Sequence, residues 1–336
     1  MKLQFLDLPI NERKLYFDQA SAQGNVSPVL LEKDFWVSWL LAVLYSSPFA
    51  KWLVFKGGTS LSKVFGAIDR FSEDIDLSLA PEFLELPEAG SSKNQSHKWM
   101  EQAEAACSVA VEQKIAPVLE KAVSAFLGEN PTGWFEYLTD PGTHSPVLLF
   151  HYPTTQPPGF DYLRRSVKLE FGSLTDQQPT GRHPIQPLMA SLIPATLPDW
   201  TCDVVALELE RTFWEKATIL HTEYHRPADK QTPDRYSRHY ADTASLALMP
   251  IADHAISQPQ LRERVVNWKS RFFGSGWAHY DLAIPGAFRL VPPEARLAPL
   301  RSDYDAMRDM YMSPPRSFDD VIATLTDLET RINQGG

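Results

Sequence analysis

The chain has 336 residues, of which 43% are hydrophobic and 22% charged, a composition that excludes intrinsic disorder and allows one large domain or two modest ones. A formal net charge of −10 excludes a protein that coats nucleic acid through bulk positive charge, leaving only local basic patches for that purpose. The two cysteines, Cys107 and Cys202, lie far apart and outside any metal-ligand spacing, so neither a disulfide framework nor a zinc site is expected.

The first residues meet an acid and a proline before an apolar stretch of signal-peptide length forms, so a cytoplasmic location is expected. No apolar run approaches the roughly 20 residues of a bilayer span, so no membrane partner is expected either. Ser27-Pro28 has the form of an N-cap and first-turn pair, and Leu31, Phe35, Trp39 and Val43 repeat every four residues, which predicts a core helix. Trp52 to Phe55 is a short apolar run stopped by Gly57-Gly58, a buried strand ending in a tight turn. Leu61, Val64, Phe65 and Ile68 carry helical spacing, and Asp74 to Leu79 alternates as a strand. Gly90 to Lys98 has the composition of a loop and reads as a flap, before a long helix over Trp99 to Leu127. Val147 to Tyr152 and Ser166 to Phe171, joined through a Pro157-Pro158-Gly159 turn, are strands expected to pair. Prolines 184, 187, 194 and 198 interrupt any long helix, which sets a boundary between a lobe over 1–198 and a mostly helical lobe over 199–336.

Asp74 and Asp76 lie two apart on a strand and so leave it on one face, where a pair of carboxylates suits a hard divalent cation. In Ser166 to Phe171 the apolar face is Val167, Leu169 and Phe171, which leaves Lys168 and Glu170 together opposite. Glu170 is therefore a candidate third ligand, and Lys168 offsets its charge. The Gly57-Gly58-Thr59-Ser60 turn offers close backbone approach and two hydroxyls to a triphosphate, with Lys63 and Arg70 as further phosphate contacts. The turn fits neither GxxxxGK[ST] nor GxGxxG, which disfavours a P-loop or a dinucleotide fold. Taken singly, a Gly-Gly turn is a connector, a DxD is a solvated strand edge and Glu170 is a surface carboxylate. The combination in this order is what points to a nucleotide and metal site.

These residues, Phe55-Lys56-Gly57-Gly58-Thr59-Ser60-Leu61-Ser62-Lys63 and Arg70-Phe71-Ser72-Glu73-Asp74-Ile75-Asp76-Leu77, together with Glu32-Lys33-Asp34, resemble the AbiEii/AbiGii toxin family of nucleotidyltransferases. The first family motif matches Gly58-Thr59 and Asp74/Asp76 with a longer spacer. The second resembles Lys168-Leu169-Glu170-Phe171-Gly172-Ser173, with Glu for Asp and Ser at its end. The third looks like Glu210 and Lys216, and the fourth like Arg238-His239-Tyr240-Ala241-Asp242. The resemblance implies an α+β, DNA polymerase beta-like fold with a small mixed sheet flanked by helices. It implies catalytic Asp74, Asp76, Glu170, Lys216 and Asp242, and Mg2+ or Mn2+ on Asp74, Asp76 and Glu170. It also implies an NTP on Gly57, Gly58, Thr59, Ser60, Lys63, Arg70 and Lys168. The implied activity is nucleotide transfer to an RNA acceptor such as a tRNA 3′ end, by the toxin of a bacterial toxin–antitoxin or phage-defence pair. A cognate antitoxin is the implied protein partner.

Arg164, Arg165 and Lys168, with Arg226, Lys230, Arg235 and Arg238, read as a basic path for RNA, diluted by Asp229 and Asp234. Two other functions use the same residues: a nucleotide-binding regulatory module without turnover, and a kinase-like transfer of the γ-phosphate to a partner or to Ser60. His225 and His239 carry no assigned role, since isolated histidines on helices are more often structural.

Overall fold

Seven short runs of apolar and alternating residues assemble into one mixed sheet of order β3-β4-β5-β2-β1-β7-β6. The strands are β1 (Leu53–Lys56), β2 (Ile75–Leu79), β3 (Phe135–Thr139), β4 (Pro146–Phe150), β5 (Val167–Gly172), β6 (Thr180–Ile185) and β7 (Cys202–Leu207). The computed structural model describes residues 4–90, 92–156, 165–194 and 200–335. The Pro157-Pro158-Gly159 turn, Arg164 and the expected boundary at 198 lie outside those residues. Two compact units form: Met1–Val64, Ser72–Glu88 and Trp99–Ala206, and then Phe65–Phe71, Ala89–Lys98 and Leu207–Gly336.

In the first unit β2 pairs antiparallel with β1 and parallel with β5, while β4 pairs antiparallel with both β3 and β5. The expected pairing of the strands around 147–152 and 166–171 is therefore present. Against the sheet packs α2 (Pro28–Tyr45), and α1 (Ile10–Gly24) packs on α2. The four-residue stripe of α2 understates its burial, because every residue from Leu31 to Leu44 is buried. Trp36 and Trp39 meet Phe150 of β4 at ring separations of 5.8 and 5.9 Å, which locks the helix to the sheet through broad aromatic contacts.

Three expectations need correction. The helix after the glycine turn, α3 (Gly57–Lys63), starts at the first glycine and does not reach Ile68, because Gly66 turns the chain left-handed at φ 57°. The flap is shorter than expected: α4 (Lys93–Ala110) starts within it, capped by Ser92 and Gln95, each backbone N–H bonded to the other's side chain at 3.1 and 3.2 Å. The single long helix is interrupted by a π turn over Val111–Ile115 before α5 (Ala116–Leu127), whose Pro117 cannot donate a helical hydrogen bond.

The second unit is built from α7 (Leu209–Tyr224), α8 (Ser237–Ala247), α9 (Ile251–Ile256), α10 (Pro259–Phe272), α11 (Glu294–Ala306) and α12 (Phe318–Gln334), following the short α6 (Leu188–Leu192) of the first unit. Among the described residues no helix is long and apolar enough to cross a membrane. In its core His221 is fully buried; Nε2 faces the carbonyl of His279 at 3.0 Å, and Nδ1 accepts the N–H of Arg289 at 3.1 Å. A second ring proton would face that N–H. Burial, reinforced by His225 and His279 against the opposing His279 carbonyl, holds the imidazole neutral down to about 4. Between pH 6.5 and 4 the unfolded chain takes up this proton and the folded chain does not, so acidification destabilises by about 3 kcal/mol in total. Urea midpoints should fall from pH 6.5 to 5 and fall less in His221→Gln; an equal slope in both would dismiss this residue as a source of acid sensitivity.

Candidate active site

The site begins with strand register. Lys56 on β1 is level with Asp76 on β2, and Asp76 with Glu170 on β5, so the three stand in one row across neighbouring strands. Paired positions project to the same face, which is how the two carboxylates of Asp74-Ile75-Asp76 gain a third from a residue 94 positions after Asp76. Gly57 follows Lys56 directly at φ 80°, and a Cβ there would lie 2.8 Å from the Asp76 carboxyl carbon. Only glycine permits both the backbone angle and the approach of the turn to this carboxylate. Gly57→Ala is expected to destabilise by about 2 kcal/mol and to displace Asp76. Its check is a melting curve beside an activity assay; unchanged values in both would show that the close approach is unimportant.

The two hydroxyls of the turn have different fates. Thr59 Oγ1 donates to the Asp74 carbonyl at 2.5 Å and contacts Ser72 Oγ at 2.9 Å, so it fastens the turn to the start of β2. Ser60 Oγ is buried and without a hydrogen-bond partner among the described residues, a costly state that a ligand oxygen would relieve.

Electrostatics sharpen the picture. Burial first, then the charges of Asp76 and Glu73, push the Asp74 carboxyl up to about 6, with Lys168 and Lys33 opposing. By donor chemistry the oxygens of Asp74 and Asp76 suit a hard divalent cation, while Glu170 would have to give up a present partner to join them. Glu170 is engaged: Lys168 Nζ binds Oε2 at 2.7 Å and Thr143 Oγ1 binds Oε1 at 3.1 Å. Among the described residues no three His, Cys, Asp or Glu side chains are gathered as a ready ligand set. Lys168 also reaches Asp140 Oδ2 at 2.9 Å.

Three consecutive buried charges on α2 brace this region. Glu32 accepts from Thr154 Oγ1 at 2.7 Å and from the N–H of Thr155 at 2.6 Å. Lys33 is ion-paired with Glu73, beside Asp74. Asp34 binds Lys63 at 2.5 Å and the N–H of Leu188 at 2.6 Å. Lys63 also donates to Ser38 Oγ at 2.7 Å and to the Gln186 carbonyl at 3.3 Å. Its ammonium is thus saturated by protein, and it anchors α3 where a phosphate contact was expected.

In the second unit Arg70, Lys216 and Asp242 form a cluster buried to within a few per cent of complete exclusion from solvent. Arg70 grips both Asp242 oxygens, each at 2.8 Å, and Lys216 Nζ binds Oδ2 at 2.7 Å. Arg70 and Lys216 overcome burial and hold Asp242 ionised. Burial, with Arg70 and Arg238 beside it, presses Lys216 downward against Asp242. Two cations around one carboxylate leave a positive charge in surplus.

The sequence profile described as nucleotidyl transferase AbiEii toxin, type IV toxin–antitoxin system, matches residues 39–324. The chain belongs to this AbiEii family. It is accordingly an enzyme of the nucleotidyltransferase class. MenT4, a nucleotidyltransferase toxin from Mycobacterium tuberculosis H37Rv, has a similar structure at 15% identity and TM-score 0.46, over 95% of this chain and 87% of that one. JHP933 from Helicobacter pylori is similar at 14% identity and TM-score 0.44, over 92% and 94%. No curated protein matches in sequence.

Within this AbiEii chain the remaining motif residues separate. Glu210 pairs with His254 Nδ1 at 2.9 Å, and it is Asp242 that meets Lys216. Arg238 and Asp242 are one helical turn apart on α8, yet Asp242 is taken by Arg70 and Lys216. Of the basic residues in the second unit, Arg226 pairs with Glu223 at 2.7 Å and stacks over Trp277, which Lys230 also approaches. Asp140, the place of Lys56 in the row and the pairing of Lys33 with Glu73 are additions to the sequence reading. A signal for the last was the three successive charges Glu32-Lys33-Asp34 inside an apolar helix.

Proposed function

We propose that this AbiEii enzyme transfers a nucleotide from an NTP to an acceptor hydroxyl of RNA, the 3′ end of tRNA being the favoured acceptor. The observation that supports this most is the Asp76–Glu170 register beside Asp74, with Gly57 closing on Asp76. Asp74, Asp76 and Glu170 would hold Mg2+ or Mn2+. The ion, when bound, neutralises triphosphate charge and makes the acceptor hydroxyl a better nucleophile. Ser60 offers a hydroxyl to a phosphate oxygen, and Thr59 keeps the turn in place for it. Lys216 supplies positive charge for an anionic group, with Asp242 and Arg70 fixing its ammonium. Chemistry of this kind is mainly positioning and charge neutralisation, and these residues supply both.

In this reading the protein is the cytoplasmic toxin of a toxin–antitoxin or phage-defence pair, with an antitoxin as its protein partner. The test is incubation with total bacterial tRNA, Mg2+ and NTPs labelled at the α- or γ-phosphate. Label on tRNA from the α-position is the expected result. Label from the γ-position alone, or on Ser60, would make it a phosphotransferase; bound nucleotide without any transfer would make it a binding module.

A further inference from the structure

Glu170 and Asp140 share one ammonium but are held in different ways. The Asp140 carboxylate is oriented by backbone: Oδ1 accepts the N–H groups of Gly142 and Thr143 at 2.9 and 3.0 Å within the β3–β4 turn. Its second oxygen faces Lys168 Nζ. Among the described residues Glu170 is held by side chains, the Lys168 ammonium on Oε2 and the Thr143 hydroxyl on Oε1, both of which can be exchanged for other ligands. The turn itself is fixed, with Asp140 N–H bonded to Ser145 O and His144 N–H to Asp140 O, each at 2.9 Å.

We propose that Lys168 is a built-in counter-cation shared between Glu170 and Asp140, and that Asp140 is the positioning residue that retains it when Glu170 turns to a divalent ion. The proposal rests on the metal reading given above. A divalent ion at Asp74, Asp76 and Glu170 repels an ammonium seated on the same carboxylate, so one of the two contacts must open. The Glu170 contact is the one that opens, because Asp140 is fixed by its turn. The lysine thereby stays in the cluster, where its charge remains for the triphosphate. Asp140 is held down at about 2, chiefly by its bond to Lys168, consistent with an acceptor that stays ionised throughout.

Mn2+ binding followed by electron paramagnetic resonance tests this directly, with transfer activity measured alongside. Lys168→Met removes a competing cation and should bind Mn2+ about fivefold tighter while transferring more slowly. Asp140→Asn leaves Lys168 leaning on Glu170 and should bind Mn2+ about threefold more weakly. In the Lys168→Met background the same Asp140→Asn change should alter affinity less than about twofold, since its effect passes through the lysine. Weaker or unchanged binding in Lys168→Met overturns the proposal, as does an equal Asp140→Asn loss in both backgrounds. Lys168→Gln gives a second route should Lys168→Met fail to fold, with the same expected direction. Asp76→Ala separates the two readings: if it binds Mn2+ as tightly as the natural chain, the metal assignment itself fails.

Discussion

Asp76→Ala is expected to lower nucleotide transfer by at least about 1000-fold, roughly 4 kcal/mol of transition-state stabilisation, while leaving the melting temperature unchanged or slightly raised. The two parts of this prediction have one origin. Asp76 stands level with Glu170 and beneath the Gly57 turn, so its removal takes away the central oxygen donor of the row. Its charge is also one of the causes that push Asp74 up to about 6, after burial, so the folded state is relieved of a repulsion when it is lost. Residues that serve chemistry at a cost to stability behave in this way. Single-turnover transfer from α-labelled NTP, read beside a thermal melt, measures both quantities. Transfer within tenfold of the natural chain would remove Asp76 from the mechanism, and a large drop in melting temperature would recast it as a structural residue.

Much of this arrangement was legible because local pattern determined it. Alternation in Val167, Leu169 and Phe171 placed Lys168 and Glu170 on one face before any fold was known, and the β2–β5 register then brought that face to Asp76. The glycine turn was equally legible, since Gly57 sits at a positive φ that few other residues tolerate. Less legible were partners chosen by tertiary contact. Lys63 carries the composition of a phosphate ligand, but the ends of its bonds, Asp34, Ser38 and Gln186, come from distant segments. Arg70 likewise sits four residues before Asp74 in sequence, yet its guanidinium is bound to Asp242, 172 positions away. Helix ends failed for a different reason: Ser92 and Gln95 are ordinary loop residues unless they are read together as reciprocal caps. The π turn ahead of Pro117 was overlooked because the Ala- and Glu-rich composition around it outweighed a single residue.

Asp242→Ala should destabilise the protein by about 3–5 kcal/mol, because it leaves two buried cations without the carboxylate that lies between them. For a chain of this size such a loss corresponds to a fall of about 10 °C in melting temperature. Lys216→Met makes the contrast. It leaves the bidentate Arg70–Asp242 pair whole and replaces a desolvated ammonium with an apolar stem of similar length, so its stability cost should stay below about 1.5 kcal/mol. Transfer should nonetheless fall, since the surplus positive charge of the cluster goes with the lysine. Denaturation of both variants beside their transfer rates distinguishes the roles: Asp242 and Arg70 as the frame, Lys216 as the group that meets an anion. Should Lys216→Met lose as much stability as Asp242→Ala while a folded fraction keeps its activity, the cluster is a structural network and the lysine has no part in the chemistry.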